Sequence, residues 1–339
     1  MRTREGRRGL LFICILAVVL LELLLLSFGL GRYAVPPAEV IRILLARIFP
    51  VTPSWTEQME TAVISIRLPR ILLACMVGGC LSAAGTAYQS VFRNPMAAPD
   101  ILGASSGACF GAALAILLGF SRSGVTALAF VSSLLSVALV YAIARRAKGN
   151  PVTMLLLAGV MIGSLFSACT SYVKLVADPT NQLPAITYWL MGSLSGTRMN
   201  VVGFAAVPML IGLVPLLALR WRINLLTLDE EEARSMGVNT GRLRLVVILC
   251  ATVLTAACVA VSGMIGWVGL VIPHLSRKLV GSNCRYLLPA STIFGAIFLL
   301  LVDNISRNLL ATEIPIGILT AFVGAPFFLY LMTRKEQLL

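Results

Sequence analysis

The chain carries runs of apolar residues too long for the helices of a soluble core. The first, Leu10 to Leu30, is interrupted only by Glu22, Ser27 and Gly29. A helix rises about 1.5 Å per residue, so roughly 20 apolar residues cross the hydrocarbon of a bilayer. No water is available there to bond peptide groups, and helix satisfies them within the segment itself. Successive runs read as ten spans, at about 10–30, 71–92, 101–118, 125–144, 152–173, 201–219, 243–261, a short broken one within 263–280, 287–302 and 316–332. The expected fold is all-α: a polytopic membrane protein of about ten transmembrane helices, one domain over residues 1–339.

Charge then orients the spans. Of the 27 Lys and Arg residues, 18 fall on the side of the two termini and 9 on the other, which puts both termini in the cytoplasm. The net charge of +13 is scattered among short loops, without a basic domain that could follow phosphates, so topology rather than nucleic acid accounts for it. Of the 8 cysteines only Cys284 lies in a loop, and none forms Cys-x-x-Cys, so they read as small buried hydrophobes. One histidine, His274, excludes a multi-histidine metal site. Glu22 lies near mid-span and is expected to face a neighbouring helix, as a structural or a functional acid. Residues 31–66 read as an external connection with a short surface helix at Ala38 to Ile48.

A compact polar island, Leu228 to Arg244, interrupts the apolar pattern between spans 6 and 7. It must sit in water. Asp229 to Met236 can form a short helix whose first-turn acids complement the helix dipole; Gly237 can end it, and Thr240 with Gly241 can start span 7. Gly103, Gly107 and Gly111 in span 3, and Gly159 with Gly163 in span 5, stand four residues apart, a spacing that lets helices pack closely in lipid. The sequence has no P-loop, no nucleophile elbow and no His-Glu-x-x-His, so no catalytic or metal-ligating residue is assigned.

Several ordered motifs coincide with a known family. Arg67-Leu-Pro-Arg70, the run Phe92-Arg93-Asn94-Pro95-Met96-Ala97-Ala98-Pro99-Asp100-Ile101-Leu102-Gly103, Ser105-Ser106-Gly107-Ala108, the Glu-Ala-Arg-Ser-Met-Gly of the island, Gly269-Leu-Val-Ile-Pro-His274, Glu313-Ile-Pro-Ile-Gly317 and Gly324-Ala-Pro326 resemble the permease subunits of iron-siderophore and vitamin B12 ABC importers, the FecCD family. The resemblance runs from about residue 10 to the end. It implies a bacterial or archaeal cell-membrane permease of a metal chelate, working as a homodimer or a paired-permease heterodimer. Two cytoplasmic ATPase subunits holding ATP and Mg, and an extracytoplasmic solute-binding protein, would complete the importer; this chain would bind no cofactor of its own.

The resemblance further implies an inverted repeat of spans 2–5 and 7–10. It assigns ATPase coupling to a segment at about 224–241, with Asp229, Glu230, Glu231, Ala233, Arg234, Met236, Gly237 and Val238. Binding-protein docking falls on Arg67, Arg70 and Arg307, and an inner gate on Asn94 and Thr153. The pathway would be lined by span 5, where Ser164, Ser167, Thr170 and Ser171 lie. Simpler readings exist for some of these: Asn before Pro and Thr after Pro commonly mark helix boundaries, and arginines anchor in lipid headgroups. A cobalamin or heme cargo is an alternative within the family. Outside it stands a proton-coupled secondary transporter with Glu22 as proton carrier, or, further off, a membrane-embedded enzyme.

Overall fold

The computed structural model describes residues 4–31, 33–50, 52–228 and 230–333. Its described residues are helical and connecting, with no strand among them. We number the helices α1 (Arg4–Gly29), α2 (Pro37–Leu45), α3 (Glu57–Val91), α4 (Ala104–Leu117), α5 (Arg122–Arg146), α6 (Pro151–Val176), α7 (Gln182–Leu190), α8 (Met199–Ile223), α9 (Glu230–Ser235), α10 (Thr240–Ser262), α11 (Val268–Val280), α12 (Cys284–Asn308) and α13 (Ile316–Thr333). Seven of them, α1, α3, α5, α6, α8, α10 and α12, are long and apolar enough to span a membrane, whereas α4 and the apolar part of α13 are shorter. The broken span expected within 263–280 is the 13-residue α11.

At the two extremes burial runs opposite to hydropathy, as a lipid solvent allows. The window of α1 with mean hydropathy 3.0 is only 11% buried, and that of α3, at 1.7, is 83% buried. A lipid-facing helix needs apolar side chains everywhere, while a central helix can carry small and polar ones that pair with its neighbours. Ser82, Thr86 and Ser291 do so, with Ser82 Oγ 2.7 Å and Thr86 Oγ1 2.9 Å from Ser291 Oγ on α12. Gly78 allows the closest approach in this pair, since a Cβ there would lie 2.2 Å from the Gly295 carbonyl oxygen.

The helix contacts are reciprocal. α3 packs on α11 and α12, and α10 packs on α4 and α5. Each half thus inserts its first helix against the second and third helices of the other, which is how two four-helix halves related by a pseudo-two-fold would pack.

Several boundaries differ from the sequence reading. Span 2 begins at Glu57, not near residue 71, so the connection before it is shorter than 31–66. Pro69 lacks an N–H and its ring crowds the carbonyl four residues earlier. The helix accommodates it with a π-helical stretch over Thr61–Arg67 and continues. Span 3 starts at Ala104, because Gly103 adopts a left-handed φ of 75° ahead of it. Span 7 is capped by Asn239, whose side chain accepts from the Arg242 amide at 3.0 Å. Glu22 faces no neighbouring helix: it is exposed on α1, beside exposed Leu21, Leu25 and Leu26.

Candidate translocation path and coupling segment

The polar island folds as a short helix at the edge of the bundle. α8 runs into a 3-10 turn, Asn224–Thr227, with Leu225 and Leu226 buried, and α9 follows. Asp229 lies outside the described residues; Glu230, Glu231, Ala233 and Arg234 lie on α9. Ala233 is fully buried, while Met236 just after the helix is 56% exposed. Gly237, at a φ of 74°, ends the helix, and the Val238 amide donates to the Ala233 carbonyl at 3.3 Å. Between the turn that follows α9 and the ends of α8 and α10 lies a recess of about 520 Å³, lined by Trp221, Met236, Gly237, Val238 and Arg242 among others.

One arginine ties this segment to the middle of the molecule. Arg93, at a positive φ of 49°, donates through Nε to the Leu226 carbonyl at 2.9 Å and through Nη2 to the Leu228 carbonyl. Its neighbour Asn94 accepts from the Met96 amide at 2.8 Å, so its side chain caps the turn that leads toward α4. Thr153 is exposed in the first turn of α6, which is capped instead by Asn150.

From Asn94 the chain passes through residues 95–103 along an open groove of about 480 Å³ on the outer face of α6. Ser164 and Ser167 line it, with Gly159 and Gly163. These glycines admit the loop: a Cβ at Gly159 would lie 2.3 Å from the Ile101 carbonyl oxygen. Gly107 and Gly111 serve α4 the same way, holding it against Ser132 and its neighbours on α5. Ser171 is exposed on α6. Thr170 does not line the groove: one turn beyond Ser167, it is buried against the bundle and donates to the Phe166 carbonyl at 2.8 Å.

The sequence reading gave no role to Asp100, which lines this groove and also a second cavity of about 340 Å³ beside Thr255, Trp267 and Gly269. Water reaches it, yet protein encloses it on most sides, and this burial pushes its carboxyl above the ordinary range against the smaller opposing effect of a backbone hydrogen bond. A lone acid in a Pro-containing loop carries no sequence signal of that placement.

The far end of the bundle, opposite α9, holds the other candidates. Arg67, Arg70 and Arg307 do converge there, but all three are buried and bonded within the chain. Arg70 Nε donates to Asp303 Oδ1 at 2.9 Å and its Nη1 to Glu313 Oε1 at 2.8 Å. Arg307 donates to the Ser27 carbonyl at 2.7 Å and to Asn304, and Arg67 to the carbonyls of Phe28 and Tyr33. Nearby, the start of α13 is fastened to the turn after α7: Ile316 and Gly317 donate to the carbonyls of Gly192 and Met191 at 2.9 and 3.1 Å.

The arrangement is that of a membrane permease: a bundle of apolar helices with shorter helices among them, a lined groove and a short polar helix between two spans. The sequence matches the FecCD transport family over residues 16–334, and the chain belongs to that family. It is 42% identical over 322 residues to the molybdate import system permease MolB of Haemophilus influenzae, covering 95% of each chain. It is 40% identical to the Fe(3+)-citrate import system permease YfmE of Bacillus subtilis, covering 99% of this chain and 98% of that one. A solved structure described as an inward-facing conformation of a putative metal-chelate type ABC transporter superimposes with a TM-score of 0.85 at 40% identity, covering 94% of this chain and 98% of the other.

Proposed function

We propose that this chain is the transmembrane permease subunit of an ABC importer that takes up an iron-siderophore or related metal chelate. Two such subunits, identical or paired, form the path between their α6 faces. Two ATPase subunits seat on α9 at the cytoplasmic end, where both termini lie, and hold the ATP and Mg that this sequence, without a P-loop, does not bind. A solute-binding protein docks at the opposite end, on the surface that the buried Arg67, Arg70 and Arg307 brace from within.

The observation that carries the reading is the Arg93 clamp. An exposed two-turn helix is no use as a lever unless its displacement reaches the path. Here the segment entering α9 is bonded to the residue beside Asn94, and the loop that follows runs straight along the groove. Closure of an ATPase dimer against α9 would pull on this connection and shift the loop at the proposed gate of Asn94 and Thr153.

The test is affinity purification of the tagged permease from its native host in mild detergent, followed by uptake assays. An ATPase of one nucleotide-binding domain should co-purify, and proteoliposomes with the binding protein outside should accumulate ferric chelate only with ATP inside. Uptake driven by a proton gradient without ATP would overturn the proposal.

A further inference from the structure

Asp100 is the one charged residue among those lining the groove on α6 and also the one among those lining the cavity beside Trp267. The other lining groups are apolar, or neutral hydroxyls such as Ser105, Ser106, Ser164, Ser167 and Thr255. Its carboxylate enters none of the ion pairs of the described residues. Among the described residues, Asp100 is thus the one charge lining these two cavities, placed where the loop crosses from one to the other. A charge beside a groove with low-dielectric protein walls acts on a passing solute more strongly than the same charge on a convex surface.

We infer that Asp100 is a charge filter of the translocation path, favouring neutral and cationic chelates over anionic ones. This rests on the importer reading above and narrows its cargo. Molybdate, the cargo named for one close relative, is a dianion, and ferric citrate complexes are anionic; both would meet a like charge at Asp100. A ferric trihydroxamate of zero or positive charge would not. In a pair of subunits two such carboxylates would act on the same path. Nothing at Asp100 provides ligand geometry for bare metal, so the role is selection of a passing chelate rather than capture of an ion.

The test uses ferric trihydroxamates built on one chelating frame with net charges +1, 0 and −1, so that the binding protein sees the same iron-hydroxamate core. The complete complex, with its ATPase and binding protein, is reconstituted in proteoliposomes, and uptake and ATP hydrolysis are measured together. The wild type should carry the +1 chelate about tenfold faster than the −1 chelate, a difference of roughly 1.4 kcal/mol. Asp100→Asn should level the three rates, and Asp100→Lys should reverse their order. Ser167→Lys, which adds the opposite charge to the groove and leaves Asp100 in place, should narrow the preference and guards against misfolding of the Asp100 variants. A wild-type charge order that survives unchanged in all three variants would overturn the filter. Failure of the wild type to accumulate any of the three with ATP would overturn the cargo reading beneath it.

Discussion

At one end of the bundle Arg70, held by Asp303 and Glu313, fixes α3 to α12 and to the connection before α13, and backbone bonds fasten α13 to the turn after α7. At the other end α9 stands at the edge of the bundle, seated by Ala233 and joined to the interior by Arg93. The first is a buried, multiply connected frame in which one group cannot move without stranding another. The second is exposed, with few contacts to lose, and free to be displaced by a partner. That contrast is the one a transporter needs, in which force enters at a compliant end and is resisted at a stiff one.

The largest effect should come from breaking the stiff end. Arg70→Ala leaves Asp303, which is fully buried, facing Arg307 at 3.9 Å as its only ion-pair partner among the described residues. Removing one member of a buried pair costs about 3–5 kcal/mol. Thermal unfolding in detergent should show a large loss of stability, and the double variant Arg70→Met with Asp303→Leu should recover much of it. If Arg70→Ala is as stable as the wild type, the frame is not electrostatic.

A smaller effect on stability, with a larger one on transport, should follow at the compliant end. Arg93→Ala removes hydrogen bonds to two carbonyls that water can replace in part, at a cost of about 1–3 kcal/mol. Uptake should fall at least tenfold in reconstituted complexes while the unfolding temperature drops modestly. Equal losses of stability from Arg93→Ala and Arg70→Ala would erase the distinction between the two ends.

The sequence made the helical architecture legible because lipid imposes a strong and simple rule: each spanning segment must be long and apolar. It was less informative about starts. The π-helical stretch before Pro69 and the left-handed Gly103 shift two span boundaries, since neither local departure leaves a hydropathy signal. For the site, the polar island announced itself by contrast with its surroundings. The arginines were visible too, but their burial was not, because Arg70 meets Asp303 and Glu313, and Arg307 meets Ser27, more than 200 positions away, and pairing at that distance is a property of the fold. Thr170 was grouped with the serines by composition, and its burial follows from tertiary packing that helix phase alone does not give, since it stands only one turn from Ser167.

The smallest effect is expected at Glu22. It is exposed on the most apolar helix and belongs to neither end's network. Glu22→Gln should leave ATP-driven uptake within about twofold of the wild type, measured with and without a proton gradient. A complete loss would restore the proton-carrier reading that the position of α1 does not favour.

The compliant end is best tested at Gly237, where the left-handed turn ends α9 and no atom would touch an added Cβ. A β-branched residue there strains the backbone by about 1–2 kcal/mol without a steric clash, so the bundle should remain intact while α9 is tilted. In proteoliposomes containing the full complex, uptake and ATP hydrolysis should be recorded on the same sample for the wild type and Gly237→Val. The expected result is that hydrolysis continues while chelate accumulated per ATP falls at least tenfold. An unchanged ratio of uptake to hydrolysis would show that α9 does not transmit the motion, and would contradict the account of this chain as an ATPase-driven permease levered through that helix.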